Sequence, residues 1–184
     1  MLFRSKGHEV YEFDINTKEL IWNSEDYQQN LSKNLPSKLD YVFHIGALAN
    51  TFEFSEQDLF NYNVNSIIEI LKICSRKNAK LIFISSAATY GNFGKLSPYG
   101  ESKLAAEKII ENQSEIPTRI FRLFNVYGFN EIPKNNMKSL ISSLVIEEIT
   151  QGTMTIWNLH GEYGNGLQSR DFIFVDDVVR VLGS

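Results

Sequence analysis

Cysteine, positive charge and long apolar runs are all scarce in this sequence. Its 184 residues include one cysteine, Cys74, which excludes a disulfide framework and a cysteine-ligated metal site. Acidic residues outnumber basic ones by 22 to 18, and the net charge of -4 argues against a general binder of nucleic acid or membrane surfaces. No apolar run approaches the roughly 18 residues of a spanning helix, and the first residues lack a signal peptide's apolar core. The cytoplasm is therefore the expected compartment.

Apolar residues, by contrast, make up 43% of the chain, enough for one domain with a proper core. Short β-rich runs alternate with longer helical patterns. Strands are predicted over 9–14, 40–45, 80–86, 118–124 and 169–175, and helices over 55–77, 98–112 and 136–151. The run 80–86 (KLIFISS) is nearly all apolar, as expected of a central parallel strand buried on both faces. This alternation predicts a doubly wound, mostly parallel α/β sheet, which binds ligands at the carboxyl ends of its strands.

A tyrosine and a lysine stand four residues apart in the sequence YGESK. On a helix this spacing places Tyr99 and Lys103 on one face, one turn apart. An ammonium near a phenol favours the phenolate, so we expect the pKa of Tyr99 to fall toward neutrality. The pair alone also fits a surface lysine beside a half-buried tyrosine. Ser86 strengthens the first interpretation, because it ends the apolar strand at the ligand edge, where a hydroxyl can hydrogen-bond a substrate oxygen.

Four segments, in order, resemble the extended short-chain dehydrogenase/reductases that act on nucleotide sugars, in the NAD-dependent epimerase/dehydratase family. They are SSAATYG (85–91), YGESKLAAE (99–107), RLFNVYG (122–128) and RDFIFVDDV (170–178). Two upstream segments, HIGALAN (44–50) and NYNVNSI (61–67), are similar to cofactor-side segments of that family, with Ser66 where glycine is usual. The resemblance implies a Rossmann-like, nucleotide-binding domain over 1–184, with the start of the substrate-binding region at about 129–168.

The resemblance also implies a set of site residues. The catalytic triad would be Ser86, Tyr99 and Lys103. The cofactor, NAD or NADP, would contact two of these catalytic residues, Tyr99 and Lys103. It would also contact Asp14, Ile45, Gly46, Ala47 and Asn65. Among them, Asp14 would bind the adenosine ribose. The nucleotide-sugar substrate would contact Ser86, Ala87, Asn125, Asn136 and Arg170, the last holding a phosphate.

The type of reaction is narrowed at residues 86–88. The family's 4,6-dehydratases carry Thr-Asp-Glu where this chain has Ser86-Ala87-Ala88. Elimination of water needs an acid to protonate the leaving hydroxyl, and two alanines cannot supply it. An epimerase that oxidises its sugar transiently and reduces it again is therefore the expected enzyme.

Two epimerase alternatives remain open at the loop after Asn125. The spacing NVYG-x-x-E-x-x-K-x-x-M resembles the ADP-L-glycero-D-manno-heptose 6-epimerases, which implies that Lys134 is a second acid/base. The Pro-Asn-Asn segment of the UDP-sugar 4-epimerases is similar to Pro133, Asn135 and Asn136. For Lys134 the ordinary alternative is a solvated loop lysine.

The family's Gly-x-x-Gly-x-x-Gly loop, which cradles the pyrophosphate, has no counterpart in this sequence. Residues 1–8 (MLFRSKGH) correspond to the end of the helix after that loop. A truncated enzyme is expected, or, in a different class of function, a non-catalytic Rossmann-like module that serves association. The family's helices matching 55–77 and 98–112 pair as a four-helix bundle, which implies a homo-oligomer through these two segments.

Overall fold

The structure, a computed structural model, describes residues 2–12, 35–49, 53–91, 94–131, 134, 137–155 and 169–184. It divides into two compact units, residues 1–123 and 124–184. The predicted α/β class with a parallel sheet is confirmed in the first unit. In the described part of the chain, no helix is both long and apolar enough to cross a membrane.

The first unit is built around strand β2 (Lys80–Ser86), which pairs in parallel with β1 (Tyr41–His44) and β3 (Thr118–Leu123). Residues 81–85 of β2 are all buried: β1 and β3 pair with its two edges, and helices pack on the face that carries Leu81 and Phe83. This is the all-apolar central strand that the sequence predicts.

In the described residues of this unit, four helices and two helical turns precede or follow β2. They are α1 (Leu2–Ser5), α2 (Glu56–Phe60), a turn of π-helix (Asn61–Asn65), α3 (Ser66–Lys77), a 3₁₀ turn (Ala87–Tyr90) and α4 (Pro98–Glu111). Helix α3 and helix α4 pack their apolar residues on β2 in one core, whose fully buried members are Ile67, Cys74, Leu81, Phe83, Ala106 and Ile110. Cys74 is thus a small buried hydrophobe, as its apolar neighbours predict.

Helix α4 begins against the turn that follows β2. Ser97 caps it by accepting a hydrogen bond from the Gly100 N–H at 3.1 Å, and Pro98 occupies the first turn. A Cβ at Gly100 would lie 2.4 Å from the backbone oxygen of Ala88. Only glycine permits so close an approach, and this contact fixes the start of α4 beside the end of β2.

The second unit contains a two-stranded parallel pair of β4 (Val126–Tyr127) and β5 (Ile173–Phe174), with helices α5 (Leu140–Gln151) and α6 (Val175–Leu182). Ser139 caps α5, and Gly152 ends it in the left-handed conformation (φ 68°). A Cβ at Gly128 would lie 2.5 Å from Val175 Cγ1, so the residue after β4 also has to be glycine.

Two strand predictions are wrong. Residues 9–12 of the predicted strand 9–14 are not in a strand; side chains of this segment bond locally instead, with Arg4 pairing to Glu12 at 3.1 Å. In the range 169–175, only Ile173–Phe174 are extended, because Val175 already begins α6. Helix α5 begins at Leu140 rather than at 136, which lies outside the described residues, as do 13 and 14.

Candidate active site

Ser86 and Tyr99 are brought together where β2 ends. The Ser86 Oγ accepts a hydrogen bond from the Ala88 N–H at 3.1 Å, and the Ser86 carbonyl accepts one from Thr89 Oγ1 at 2.8 Å. These bonds fix Ser86 in the turn that contains Ala87. Because α4 starts against the same turn, the phenol of Tyr99 lies near the Ser86 side chain, close enough for the serine to lower the pKa of the phenol.

The electrostatics of Tyr99 correct the sequence prediction. Burial raises the pKa of the phenol, and hydrogen bonding to Ser86 lowers it by less, so that the pKa lies above its ordinary value of 10.0. The expectation that Lys103 brings the pKa of Tyr99 toward neutrality is therefore wrong for the chain by itself. The four-residue spacing of Tyr99 and Lys103 places their side chains on one helix face, but it does not show how deeply each side chain is buried.

Lys103 lies one turn further along α4 and is only 2% exposed. Its Nζ lies 4.4 Å from the centre of the Phe83 ring on β2, a cation–π distance. Burial lowers the pKa of the Lys103 ammonium to about 8, against a smaller opposite effect of the Glu107 charge. A lysine that exchanges its proton near neutral pH, beside a tyrosine and a serine, is typical of an acid/base site.

Asn63, which the sequence analysis did not select, connects the segment after β1 to α4. It is 2% exposed. Its Oδ1 accepts from the Leu48 N–H, and its Nδ2 donates to the Leu48 carbonyl and to Ser102 Oγ, all at 2.9 Å. Ser102 Oγ donates in turn to the Tyr99 carbonyl at 2.8 Å. The predicted Asn65, two residues on, is only half-buried at the end of the π-helical turn.

The segment after β1 leaves room for a cofactor. Ile45 is 60% exposed, and a Cβ at Gly46 would meet nothing within 4 Å. Backbone that is open at the carboxyl edge of a parallel sheet fits an extended dinucleotide lying across it. Ile45, Gly46 and Ala47 follow the end of β1, and their contact with a cofactor stays a prediction; Asp14 and Asn136 lie outside the described residues.

His44, the last residue of β1, is a further buried group of this edge. Its Nε2 lies 3.2 Å from Ser66 Oγ, so the serine that replaces the family's usual glycine provides it with a partner. Burial, together with the charge of Lys103, lowers the pKa of His44 to about 4. His44 is therefore a neutral imidazole at physiological pH.

The second unit holds the remaining predicted residues. The Asn125 Nδ2 donates to the Asp171 carbonyl at 2.8 Å, and the Asn125 carbonyl accepts from the Ile173 N–H at 3.4 Å. Asn125 thereby joins the ends of β4 and β5. Arg170 is exposed, and its guanidinium donates to the Ser169 carbonyl at 2.8 Å.

Lys134 is 55% exposed, and its Nζ lies 3.5 Å from the Glu131 carboxylate. Glu131, by contrast, is 5% exposed and accepts hydrogen bonds from the Ser139 N–H at 3.1 Å, from Ser139 Oγ at 2.6 Å and from Ser142 Oγ. Burial raises the pKa of Glu131, but these hydrogen bonds and one from the Gly128 N–H outweigh that effect. The pKa of Glu131 is therefore lowered to about 2. A permanently charged carboxylate thus organises the loop on which Lys134 stands.

The described fold defines a class of protein: a parallel α/β sheet that carries a serine, a tyrosine and a buried lysine where its central strand ends. The model of the NAD dependent epimerase/dehydratase family matches residues 3–182. The chain belongs to that family.

Individual relatives point the same way. The chain is 29% identical, over 174 residues, to the ADP-L-glycero-D-manno-heptose-6-epimerase of Cupriavidus pinatubonensis, covering 86% of this chain and 52% of the relative. The crystal structure of the Helicobacter pylori ADP-L-glycero-D-manno-heptose-6-epimerase is similar at a TM-score of 0.73 with 28% identity, over 86% of this chain and 52% of that one. MoeE5, solved with UDP-glucuronic acid and NAD, is similar at a TM-score of 0.60 with 27% identity, over 82% and 55%. The chain thus spans about half the length of these relatives.

Lys103→Met should stabilise the chain at pH 7. The pKa of Lys103 is about 8 in the folded chain and 10.5 for an exposed lysine, so the ammonium disfavours folding below pH 8. This penalty is relieved as the pH rises toward 10.5, where the unfolded chain also loses the proton. The variant's advantage should therefore shrink by roughly 3 kcal/mol between pH 7 and pH 11.

Urea unfolding at a series of pH values measures this difference. Lys108→Met, at an exposed position of the same helix, is the matched control. An advantage of Lys103→Met that does not change with pH would contradict the burial of a titrating ammonium at this position.

Proposed function

We propose that this chain provides the acid/base site of a nucleotide-sugar epimerase that oxidises its sugar transiently and reduces it again. The observation that carries the proposal is the convergence of Ser86, Tyr99 and buried Lys103 at the end of β2. Family membership and the two heptose epimerases among the relatives support it. NAD or NADP would supply reversible two-electron redox chemistry at the sugar carbon.

The chemistry requires a base, because a carbinol carbon has no acidic proton to remove directly. Tyr99 would accept the proton of the sugar hydroxyl while the carbon becomes a carbonyl, and it would return that proton when the opposite face of the carbonyl is reduced. The Ser86 hydroxyl, within reach of the same phenol, would donate to the sugar oxygen and stabilise its developing charge. Lys103 would supply positive charge to the phenolate and hold the nicotinamide ribose.

The pKa of Tyr99 lies above 10.0, so the phenol carries its proton near neutral pH. Binding of cofactor and substrate would have to favour the phenolate. The family resemblance supports Ile45, Gly46 and Ala47 as contacts of the cofactor, and Asn125 and Arg170 as contacts of the nucleotide sugar. This arrangement favours an enzyme that becomes reactive only with cofactor and substrate in place.

Tyr99→Phe should lower the epimerisation rate of the full gene product by about 10²- to 10⁴-fold, the contribution of a positioned acid/base group, with the cofactor still bound. Formation of the epimeric sugar is followed by proton NMR with ADP-heptose and UDP-hexose substrates. Tyr11→Phe, which removes an exposed hydroxyl bonded only to Glu9 at 2.6 Å, serves as the control. A fully active Tyr99→Phe enzyme would contradict the proposal and favour the alternative, a non-catalytic Rossmann-like module that serves association.

The substrate class is tested at Lys134. If the substrate is an ADP-heptose, the family resemblance implies that Lys134 is a second acid/base. Lys134→Ala should then abolish most epimerisation of ADP-heptose, whereas a UDP-sugar 4-epimerase would be little affected. Lys134→Arg separates this role from the ion pair with Glu131, because a guanidinium keeps the charge but cannot release its proton. Loss of rate in both variants supports the heptose substrate; rescue by arginine would leave Lys134 only a structural partner of Glu131.

A further inference from the structure

A two-pronged ion pair joins helix α4 to strand β3 behind the candidate site. Arg122 Nε lies 3.0 and 3.2 Å from the two carboxylate oxygens of Glu107, and Arg122 Nη2 lies 2.6 Å from one of them. The same guanidinium lies 4.8 Å from the centre of the Tyr90 ring, in the turn that follows Ser86. The Arg122 guanidinium, on strand β3, therefore contacts helix α4 through the ion pair and the turn after β2 through the Tyr90 ring.

Glu107 is only 1% exposed, whereas the side chain of Arg122 is 32% exposed. The carboxylate thus lies inside the protein and the guanidinium reaches solvent. Burial raises the pKa of Glu107, but the hydrogen bonds and charge of Arg122 and the charge of Lys103 lower it by more. Glu107 is therefore an anion near neutral pH.

Lys103 precedes Glu107 by one helical turn, and the spacing of four residues places both on the same face. Among the described residues, two titratable groups interact with the ammonium: Glu107 on its own helix and His44 on β1. His44 is neutral near pH 7, as derived above, so that the carboxylate is the anion that offsets the ammonium there. From β2, Lys103 receives only the apolar ring of Phe83.

We propose that Glu107, held in place by Arg122, is a positioning residue that keeps the Lys103 ammonium buried and charged one turn from Tyr99. A buried ammonium without a counter-ion is expelled or neutralised, at a cost of several kcal/mol. The fork of Arg122 keeps Glu107 from turning away to solvent. The catalytic meaning of this arrangement rests on the proposed function, but the charge coupling does not.

The test is a titration of Lys103 by NMR in the chain labelled with ¹³Cε-lysine, with Lys103→Met assigning the signal. Glu107→Gln keeps the shape of the side chain and removes its charge. The midpoint of Lys103 should then fall below about 8, by about one pH unit, as expected when an opposite charge nearby is lost. Glu111→Gln, one turn further along α4 and exposed, should leave the midpoint unchanged.

The direction of the shift separates positioning from mere packing. If Glu107 only tied α4 to β3, its loss would loosen the site, hydrate Lys103 and move the midpoint up toward 10.5. A midpoint that rises, or does not move, would overturn the proposal.

A reciprocal measurement decides the question even where Glu107→Gln fails to fold. Linkage requires that Lys103→Met raise the titration midpoint of the Glu107 carboxyl, followed with ¹³Cδ-glutamate. An unchanged Glu107 midpoint would overturn the proposal. Neither titration uses substrate or cofactor. An inactive enzyme with coupled midpoints would therefore refute the proposed function alone, and an active one with uncoupled midpoints would refute only the positioning role.

Discussion

Helix α4 lies so close to the end of strand β2 that Gly100 has no room for a side chain against the Ala88 carbonyl. The other features of the site follow from this approach. Tyr99, next to Gly100, lies near Ser86. One turn further along α4, the Lys103 ammonium lies over the Phe83 ring. After another turn, Glu107 forms an ion pair with Arg122 on β3. A single backbone contact thus sets the register of a helix face against the ligand edge of the sheet.

Burial also determines the electrostatics of the site. Lys103 is buried and Tyr99 and His44 are half-buried, and burial is the largest effect on all three pKa values: it raises the pKa of Tyr99 and lowers those of Lys103 and His44. Buried ionisable groups reduce stability, and proteins retain them mainly where they serve chemistry. The fold accommodates them with a hydrogen bond between His44 and Ser66 and with the Glu107 carboxylate, whose charge acts on Lys103.

The sequence predicts the parts of this arrangement that depend on local pattern. The apolar run of β2 and the four-residue spacing of Tyr99 and Lys103 lie in the predicted places, and α4 begins at residue 98, where the sequence predicts a helix. Contacts between residues that lie far apart in the sequence could not be predicted from local pattern. Glu107 and Arg122 are 15 residues apart and meet only when β3 lies beside α4. A turn of π-helix, which no periodicity indicates, buries Asn63 rather than the predicted Asn65. The pKa of Tyr99 was mispredicted because spacing reports proximity and not burial. The homo-oligomer and the cytoplasmic location stay predictions.

The central claim is that the half-buried Tyr99 phenol lies near enough to Ser86 for the serine to lower its pKa, and titration of that phenol tests it most directly. The tyrosinate absorbance of the chain, less that of a Tyr99→Phe chain, gives the Tyr99 midpoint. We expect a midpoint above 10.0, because burial outweighs the hydrogen bond. Ser86→Ala should raise it further, since it removes the one contact that lowers the pKa while leaving the burial intact. A midpoint at or below 10.0, or one that Ser86→Ala does not change, would contradict the account.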